Sequence, residues 1–452
     1  MPLSFPSSPT NGQTYVVGAR TWTWNGSIWE FNNSAIGVSS VGESEIINGS
    51  VTQAKLASTV SGVTICTSST RPGSPFTGQV IYMSDTDETA VWEGTYWEGL
   101  NRGRDRNVVI NGAMQVAQRG TSTASITADG YYTADRWLGA ASGLGTWTQS
   151  VEGDAPTGSG FRKSLKMLCT TANASPTGTN NLAVVTYIEG QNLQQFAKGT
   201  ASAKQFALSF WVKSNVTGTY VAELFDVDNT RQTALQYTIS SSATWEKKTL
   251  IFSADATGAF DNDNAKSLQV TFWMGAGSGL TSGTLQTTWA ANTTANRAVG
   301  QVNLAAATNN YWQVTGVQLE AGAVATPFEF EDYATTLQKC KRYYHREGDS
   351  PYHYYCQLTD WTSGNFYGSF RMPVEMRTAP TLSYSSLSNL TVYASGTTAS
   401  PTSMVEWVTN ASSDKNQFTT QIVASSGTGG TKSGWLTNSG TSSGWIGFSA
   451  EL

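Results

Sequence analysis

Apolar and polar residues alternate through much of this chain with the two-residue period of a β-strand. From Gln205 to Lys213, Phe206, Leu208, Phe210 and Val212 fall on one face, and Ala207, Ser209 and Trp211 on the other. Ser267 to Met274 repeats the pattern, with Leu268, Val270, Phe272 and Met274 inward and Trp273 outward. Leu165, Met167 and Cys169 form a third such set. Period-two alternation broken by Gly, Ser and Asn turns predicts antiparallel sheets, each burying one face, over residues 107–330. No crossover helix separates these strands, which disfavours an α/β fold. Short strands return beyond residue 347: Phe366 to Met372, Leu390 to Ala394, Met404 to Val408, Gln417 to Val423 and Gly444 to Leu452.

One stretch carries the period of a helix. Between Asp332 and Arg346, Tyr333, Leu337, Cys340 and Tyr344 recur at spacings of four, three and four. That is a short coiled-coil seam, with Asp332 as cap and Lys339, Lys341, Arg342 and Arg346 at the negative end of the dipole. It predicts a neck over residues 331–347, where identical copies of the chain meet around an axis through those four side chains. A single helix packed on its own domain is the alternative.

The N-terminal region repeats itself. Pro9-Thr10-Asn11-Gly12-Gln13 precedes Trp24-Asn25-Gly26-Ser27-Ile28-Trp29-Glu30, and Pro75-Phe76-Thr77-Gly78-Gln79 precedes Trp92-Glu93-Gly94-Thr95-Tyr96-Trp97-Glu98. Asn25-Gly26 and Glu93-Gly94 mark hairpin turns with a Trp on either side. An isolated hairpin is barely stable in water, so these modules, residues 1–33 and 63–106, need partners. Residues 34–62 form a linker, with a short helix expected from Thr52. Arg102, Arg104 and Arg106 sit in a polar joint.

Composition narrows the function. Charged residues make up only 13% of the 452, against about 25% for ordinary soluble domains. The place of charge is taken by Gly, Ser, Thr and Asn, and 16 Trp are present. This suits long-lived extracellular β-structure better than a metabolic enzyme. With a net charge of −5 and no long basic run, nucleic acid is not an expected partner. Membrane insertion is not expected, since no apolar run approaches a membrane span. Met1-Pro2-Leu3-Ser4 lacks the start of a secretory leader. Cys66, Cys169, Cys340 and Cys356 are scattered and read as free thiols.

Candidate chemistry is sparse. Cys340, His345, His353 and Cys356 match no common zinc spacing, and no metal or other cofactor is expected. Gly427 to Ser433 lacks the Gly-Lys pair of a phosphate loop. The turns Asp226-Val227-Asp228-Asn229 and Asp261-Asn262-Asp263-Asn264 allow calcium, but ordinary Asx turns explain them as well. No carboxylate pair stands out for glycoside hydrolysis, so a non-enzyme is expected, without catalytic residues. The binding candidates are aromatic: Tyr352, Tyr354, Tyr355, Trp361, Phe366 and Tyr367 crowd one turn-rich stretch. Such rings stack on sugar faces or fill a small core. Trp211 and Trp273, on faces expected to be wet, stack on sugars or are covered by another subunit.

The chain resembles tail-fibre and receptor-binding proteins of tailed double-stranded DNA bacteriophages, particularly those of marine and cyanobacterial hosts. The resemblance is carried by Asn111-Gly112-Ala113-Met114-Gln115-Val116-Ala117-Gln118-Arg119-Gly120, Ala134-Asp135-Arg136-Trp137 and Tyr311 to Gly322. Ala325-Thr326-Pro327-Phe328-Glu329, Leu337 to Tyr344, Arg377-Thr378-Ala379-Pro380-Thr381 and the ending Ala450-Glu451-Leu452 complete it. The middle region is also similar to carbohydrate-binding jelly rolls. The resemblance implies an elongated homotrimer in the virion, assembled in the host cytoplasm. Its N-terminus would dock on other virion tail proteins and its C-terminal β-domain, residues 348–452, on host cell-surface glycan.

Overall fold

A computed structural model of the chain describes residues 4–18, 20–32, 63–85, 88–100, 106–348, 350–362, 364–394, 396–407, 414–425, 433–438, 440 and 444–452. The linker 34–62 with its expected helix, most of the joint at 101–107 and most of the Gly-rich stretch 427–433 lie outside these residues. Strands hold 46% of the protein and helices 7%, so the fold is all-β. The chain divides into two compact units, residues 1–102 and 103–452.

In the first unit the sequence repeat is also a structural repeat. Thr14–Val17, Arg20–Trp24 and Trp29–Asn32 form one antiparallel sheet, with Trp24 opposite Trp29. Thr64–Cys66, Val80–Met83, Glu88–Trp92 and Trp97–Gly99 form a mixed sheet, the first two strands parallel and the rest antiparallel, with Trp92 opposite Trp97. Both modules carry the same ties: Gly12 N donates to Trp24 O and Gly78 N to Trp92 O, each at 2.8 Å. The loop between the tryptophans spans four residues rather than two, and Gly26 and Gly94 adopt φ of +99° and +93° within it. Asn25 Oδ1 closes the first loop by accepting from Ser27 N and Ile28 N, both at 2.9 Å. Asn25→Ala removes the one oxygen that accepts both hydrogen bonds and is expected to cost about 1 kcal/mol. Amide exchange across residues 20–32 should accelerate about fivefold, while residues 88–100 keep wild-type protection.

Residues 107–330 form the expected sandwich. Its seven-stranded sheet runs Ala290–Ala291, Arg231–Ile239, Gly218–Asp226, Lys266–Ala276, Asn181–Glu189, Leu138–Ser142, Gly130–Tyr131. Its six-stranded sheet runs Glu246–Phe252, Phe206–Ser214, Tyr311–Ala321, Ser164–Thr171, Thr146–Glu152, Ser122–Ile126. Trp137, Trp147, Phe206, Phe210, Phe272 and Trp312 fill the space between. The two acidic turns knit to each other, Asp261 N donating to Asp228 Oδ2 at 3.0 Å. The ammonium of Lys198 lies 2.5 Å from Asp226 and 3.2 Å from Asp255, and Arg231 Nε also donates to Asp255 at 2.8 Å.

The outer faces depart from expectation. Leu280 and Ala298, from the segment after Lys266–Ala276, cover the seven-stranded sheet and bury Trp273 with Ala183, Val185, Val221 and Ala234. Trp273 Nε1 donates to Glu223 Oε2 at 3.1 Å, and Arg297 clamps the same carboxylate at 2.7 and 2.9 Å. Trp273 is therefore sheltered by its own chain, and it is removed from the glycan and subunit-contact candidates. On the other sheet, Gly316 (φ +62°) leaves room for the Phe161 ring, which a Cβ there would meet at 2.5 Å. Trp211 is half-buried, opposite Lys247 and Thr315 in the neighbouring strands.

The helix is Tyr333–Lys341, capped by Asp332 Oδ1 accepting from Ala334 N at 2.9 Å. Its buried side chains are Thr336 and Cys340, whereas Tyr333 is exposed and Leu337 half-buried. Tyr344 is not helical; it opens the strand Tyr344–Gly348 and is buried there. The seam of Tyr333, Leu337, Cys340 and Tyr344 is thus not one face of a helix. A 4-3-4 spacing was met by chance across a helix end, and the Cys340 and Tyr344 knobs are consumed within the chain.

The junction that consumes them gathers stretches far apart in sequence. Arg136 is fully buried, pairs with Glu451, donates from Nη2 to Tyr187 O at 2.6 Å and stacks 3.6 Å from the Tyr343 ring. Arg342 holds Glu189 through two hydrogen bonds of 2.9 Å. Gln118 Nε2 donates to Tyr344 O at 2.6 Å, and Arg377 donates to the carbonyls of Ala450 and Glu451 at 2.8 Å. These contacts cross the boundaries expected at residues 330 and 347, so sandwich, helix and C-terminal sheets share one body.

Burial raises the Asp135 carboxyl to about 6, although Arg119 and hydrogen bonds from Gln118 pull it down. Its folded-state value exceeds the unfolded one, so between about 4 and 6 the native state binds the extra proton. Stability therefore falls as pH rises through that window. Asp135→Asn should gain in Tm relative to wild type between pH 5 and pH 8; a difference that is flat or falls with pH contradicts this.

Candidate functional site

The C-terminal domain presents the largest group of outward aromatic rings. Its seven-stranded sheet runs Thr397–Ala399, Leu390–Ala394, Ser433–Asn438, Tyr354–Thr362, Asn365–Arg371, Gln417–Ala424, Pro401–Glu406. One face buries Leu358, Phe366, Phe370, Phe418, Ile422 and Leu436, together with Ile446 and Phe448 of the three-stranded sheet Tyr344–Gly348, Trp445–Ser449, Thr381–Tyr384. On the other face Tyr354, Gln357, Thr359, Trp361, Tyr393 and Trp435 are exposed among the described residues.

Strand alternation sets which rings emerge. In Tyr354–Thr362, Tyr354, Gln357, Thr359 and Trp361 are exposed, while Tyr355, Cys356, Leu358 and Asp360 are buried. Two consecutive inward residues mark a bulge: pairing with Ser433–Asn438 shifts between Tyr354 and Cys356. Tyr355 consequently belongs to the core. Its hydroxyl bonds Asn438 Oδ1 and donates to Gly444 O at 2.9 Å. Burial raises the neighbouring Cys356 thiol to about 12.

On the open face Tyr393 lies directly opposite Trp435, and Trp435 opposite Gln357. Tyr354 packs edge-on to Trp435 with ring centroids 5.9 Å apart. Two strands further on, Tyr367 packs against Trp407 at 4.5 Å, and Gln421 Nε2 donates to the Tyr367 hydroxyl at 3.2 Å. Between these aromatic pairs, on Tyr354–Thr362, lie the neutral side chains of Gln357 and Thr359. Strands sit roughly 4.8 Å apart and Tyr367 lies two residues further along than Trp435, so the two positions are separated by about 12 Å. Trp361 and Tyr352 are each 71% exposed, and Tyr352 packs against Gly440.

Of the expected ligand-binding residues, the fold brings Tyr354 and Tyr367 onto one face, leaves Tyr352 and Trp361 exposed, and withdraws Tyr355 and Trp273. Trp435, Tyr393 and Trp407 were missed. Trp435 and Tyr393 occupy outward positions in strands whose alternate residues are buried, which is the signal that finds them. Cys340, His345, His353 and Cys356 serve other roles. His345 pairs with Glu347 at 2.9 Å, and Cys356 lies in the core. Among the described residues no three His, Cys, Asp or Glu side chains gather as metal ligands.

No family model and no curated protein sequence matches the chain. Among solved structures it is similar to the enzymatically active domain of tailspike protein 4 of Bacteriophage CBA120, at 15% identity and a TM-score of 0.26. That match covers 48% of this chain and 21% of the tailspike chain, about a fifth of its length. A second likeness is to TmCBM61, solved with beta-1,4-galactotriose: 7% identity, TM-score 0.24, 48% of this chain and 99% of the module. A third is to a family 11 carbohydrate-binding module from Clostridium thermocellum, solved with a beta-1,3-1,4-mixed-linked tetrasaccharide. It shows 10% identity and a TM-score of 0.23, over 46% of this chain and 98% of that one. The structural neighbours thus include a phage tailspike domain and carbohydrate-binding modules, and at these scores the likenesses carry no argument about ligand or activity.

Proposed function

We propose that this protein is a non-enzymatic component of a phage particle, a homotrimeric tail fibre that attaches the particle to host surface glycans. The observation that carries the reading is the open sheet face on which Tyr393, Trp435 and Tyr354 adjoin, flanked by neutral Gln and Thr side chains. Sugars offer C–H faces to such rings and hydroxyls to such amides. An exposed aromatic patch of this kind calls for an occupant. The small N-terminal unit supports docking on other virion tail proteins, for it leaves Val16, Ile28, Phe31, Ile65 and Leu100 exposed. Three copies would multiply a weak single-site affinity.

The test is binding of the full-length protein to a panel of host capsule and lipopolysaccharide glycans, with light scattering to count chains. Glycan binding by a trimer supports the reading. Binding to virion proteins alone replaces it with an adaptor or decoration role, and sustained release of reducing ends replaces it with a depolymerising tailspike.

A further inference from the structure

A cavity of about 450 Å³ lies where the sandwich meets the three-stranded sheet. Ligand pockets begin at roughly 300 Å³, so it is large enough for a single sugar. Tyr131, Tyr132 and Thr123 line it from the sandwich, and Tyr344, Trp445 and Ser383 from the sheet. Arg119, Arg346 and Ser449 complete the wall, and no Asp or Glu side chain is among the described lining residues.

Strand alternation around a glycine sets one wall of this hollow. In Trp445–Ser449 the residues 445, 447 and 449 share one face, and the middle one is Gly447. It pairs with Arg346 on one side and Ser383 on the other. A Cβ at this position would meet the Tyr344 hydroxyl at 2.6 Å and Ser383 Oγ at 2.9 Å. The missing side chain at Gly447 therefore lets the Tyr344 ring and the Ser383 hydroxyl close in between Trp445 and Ser449.

Both guanidinium groups are held by flat surfaces. Arg119 stacks on Tyr344 at 3.5 Å, and Glu451, 3.2 Å away and itself buried, fixes it from behind. Arg346 lies over the Trp445 ring at 4.7 Å and donates from Nη1 to the Arg119 carbonyl at 3.2 Å. The outcome is a rigid fork of donors beside an indole face, with Thr123, Ser383 and Ser449 hydroxyls around it. A guanidinium fork matches a carboxylate, aromatic faces match a pyranose ring, and hydroxyls match sugar hydroxyls.

We propose that this cavity binds a carboxylate-bearing sugar, a hexuronate, with Arg346 facing the carboxylate and Trp445 the ring. The site is separate from the Trp435 face and does not depend on the reading given for it.

The experiment is calorimetric titration of the full-length protein with sodium glucuronate at fixed ionic strength, with glucose and sodium sulfate in parallel. Glucuronate should bind saturably, and glucose and sulfate at least about tenfold more weakly. Arg346→Gln, and independently Ser383→Glu, which places a carboxylate in the cavity, should each weaken glucuronate binding at least about tenfold. Both should keep Tm within about 2 °C of wild type. Should Arg346→Gln fail to fold, Ser383→Glu decides. Trp435→Ala should leave glucuronate binding unchanged, so failure here is distinguishable from failure of the open face. The proposal is overturned by absent saturable binding, by glucose or sulfate binding as tightly as glucuronate, or by wild-type affinity in the folded variants.

Discussion

Glu451→Ala is expected to destabilise residues 103–452 by about 3–5 kcal/mol, a fall in Tm of roughly 5–10 °C. The Glu451 carboxylate neutralises Arg136, whose side chain is 1% exposed, and also contacts Arg119 at 3.2 Å. Without it Arg136 retains the Tyr187 carbonyl and the Tyr343 ring but no anion, and a buried charge without its counter-ion is costly. Replacing both partners, in Arg136→Met with Glu451→Leu, should cost less than the sum of the single changes, because neither charge is then stranded. Thermal melting of the three variants checks this. A Glu451→Ala protein melting within about 1 °C of wild type would show that the junction is held by its other contacts.

Trp435→Ala should abolish most glycan binding while leaving the fold intact. Its ring is 44% exposed and makes its ring contact with Tyr354, so truncation exposes little core and should cost within about 0.5 kcal/mol of stability. A central aromatic anchor is commonly worth about 2 kcal/mol or more to binding, a loss of roughly 30-fold. Tyr354→Ala should act in the same direction, and the double variant should fall short of additivity, since the rings touch. Tyr355→Ala, one position along, should do the opposite. It empties a core site and strands Asn438, so stability falls by about 3 kcal/mol or more. Cell-binding and melting assays on the three variants separate the two faces of the strand. Wild-type glycan affinity in Trp435→Ala would sink the open-face reading.

The contrast between Tyr354 and Tyr355 shows where sequence reading stops. Both sit in an aromatic cluster, and composition treats them alike. A bulge shifts the register between Tyr354 and Cys356, and that one extra residue sends one ring out and the other in. Nothing local in the sequence announces it, because the bulge is set by pairing with Ser433–Asn438, some eighty residues away. Trp273 was likewise readable as outward on its strand. That its outward face is dry depends on a segment that folds back over the sheet and on Arg297 meeting Glu223.

The helix seam failed for a related reason. Spacing describes one element at a time, and Tyr344 had passed into a strand by the time its turn came. The motifs Asn111 to Gly120, Ala134 to Trp137, Leu337 to Tyr344, Arg377 to Thr381 and Ala450 to Leu452 were visible as separate strings. Three dimensions make them a single junction, since long-range pairing of charges and carbonyls cannot be read from separations of hundreds of residues. What the order of residues determined by itself was local: alternation that makes strands, Trp-flanked turns that make the paired N-terminal hairpins, a cap that starts the helix, and an all-β class. Which faces stay wet, which rings meet, and what Arg136 holds were decided only by tertiary packing, because burial is a property of neighbours that the chain brings together from afar.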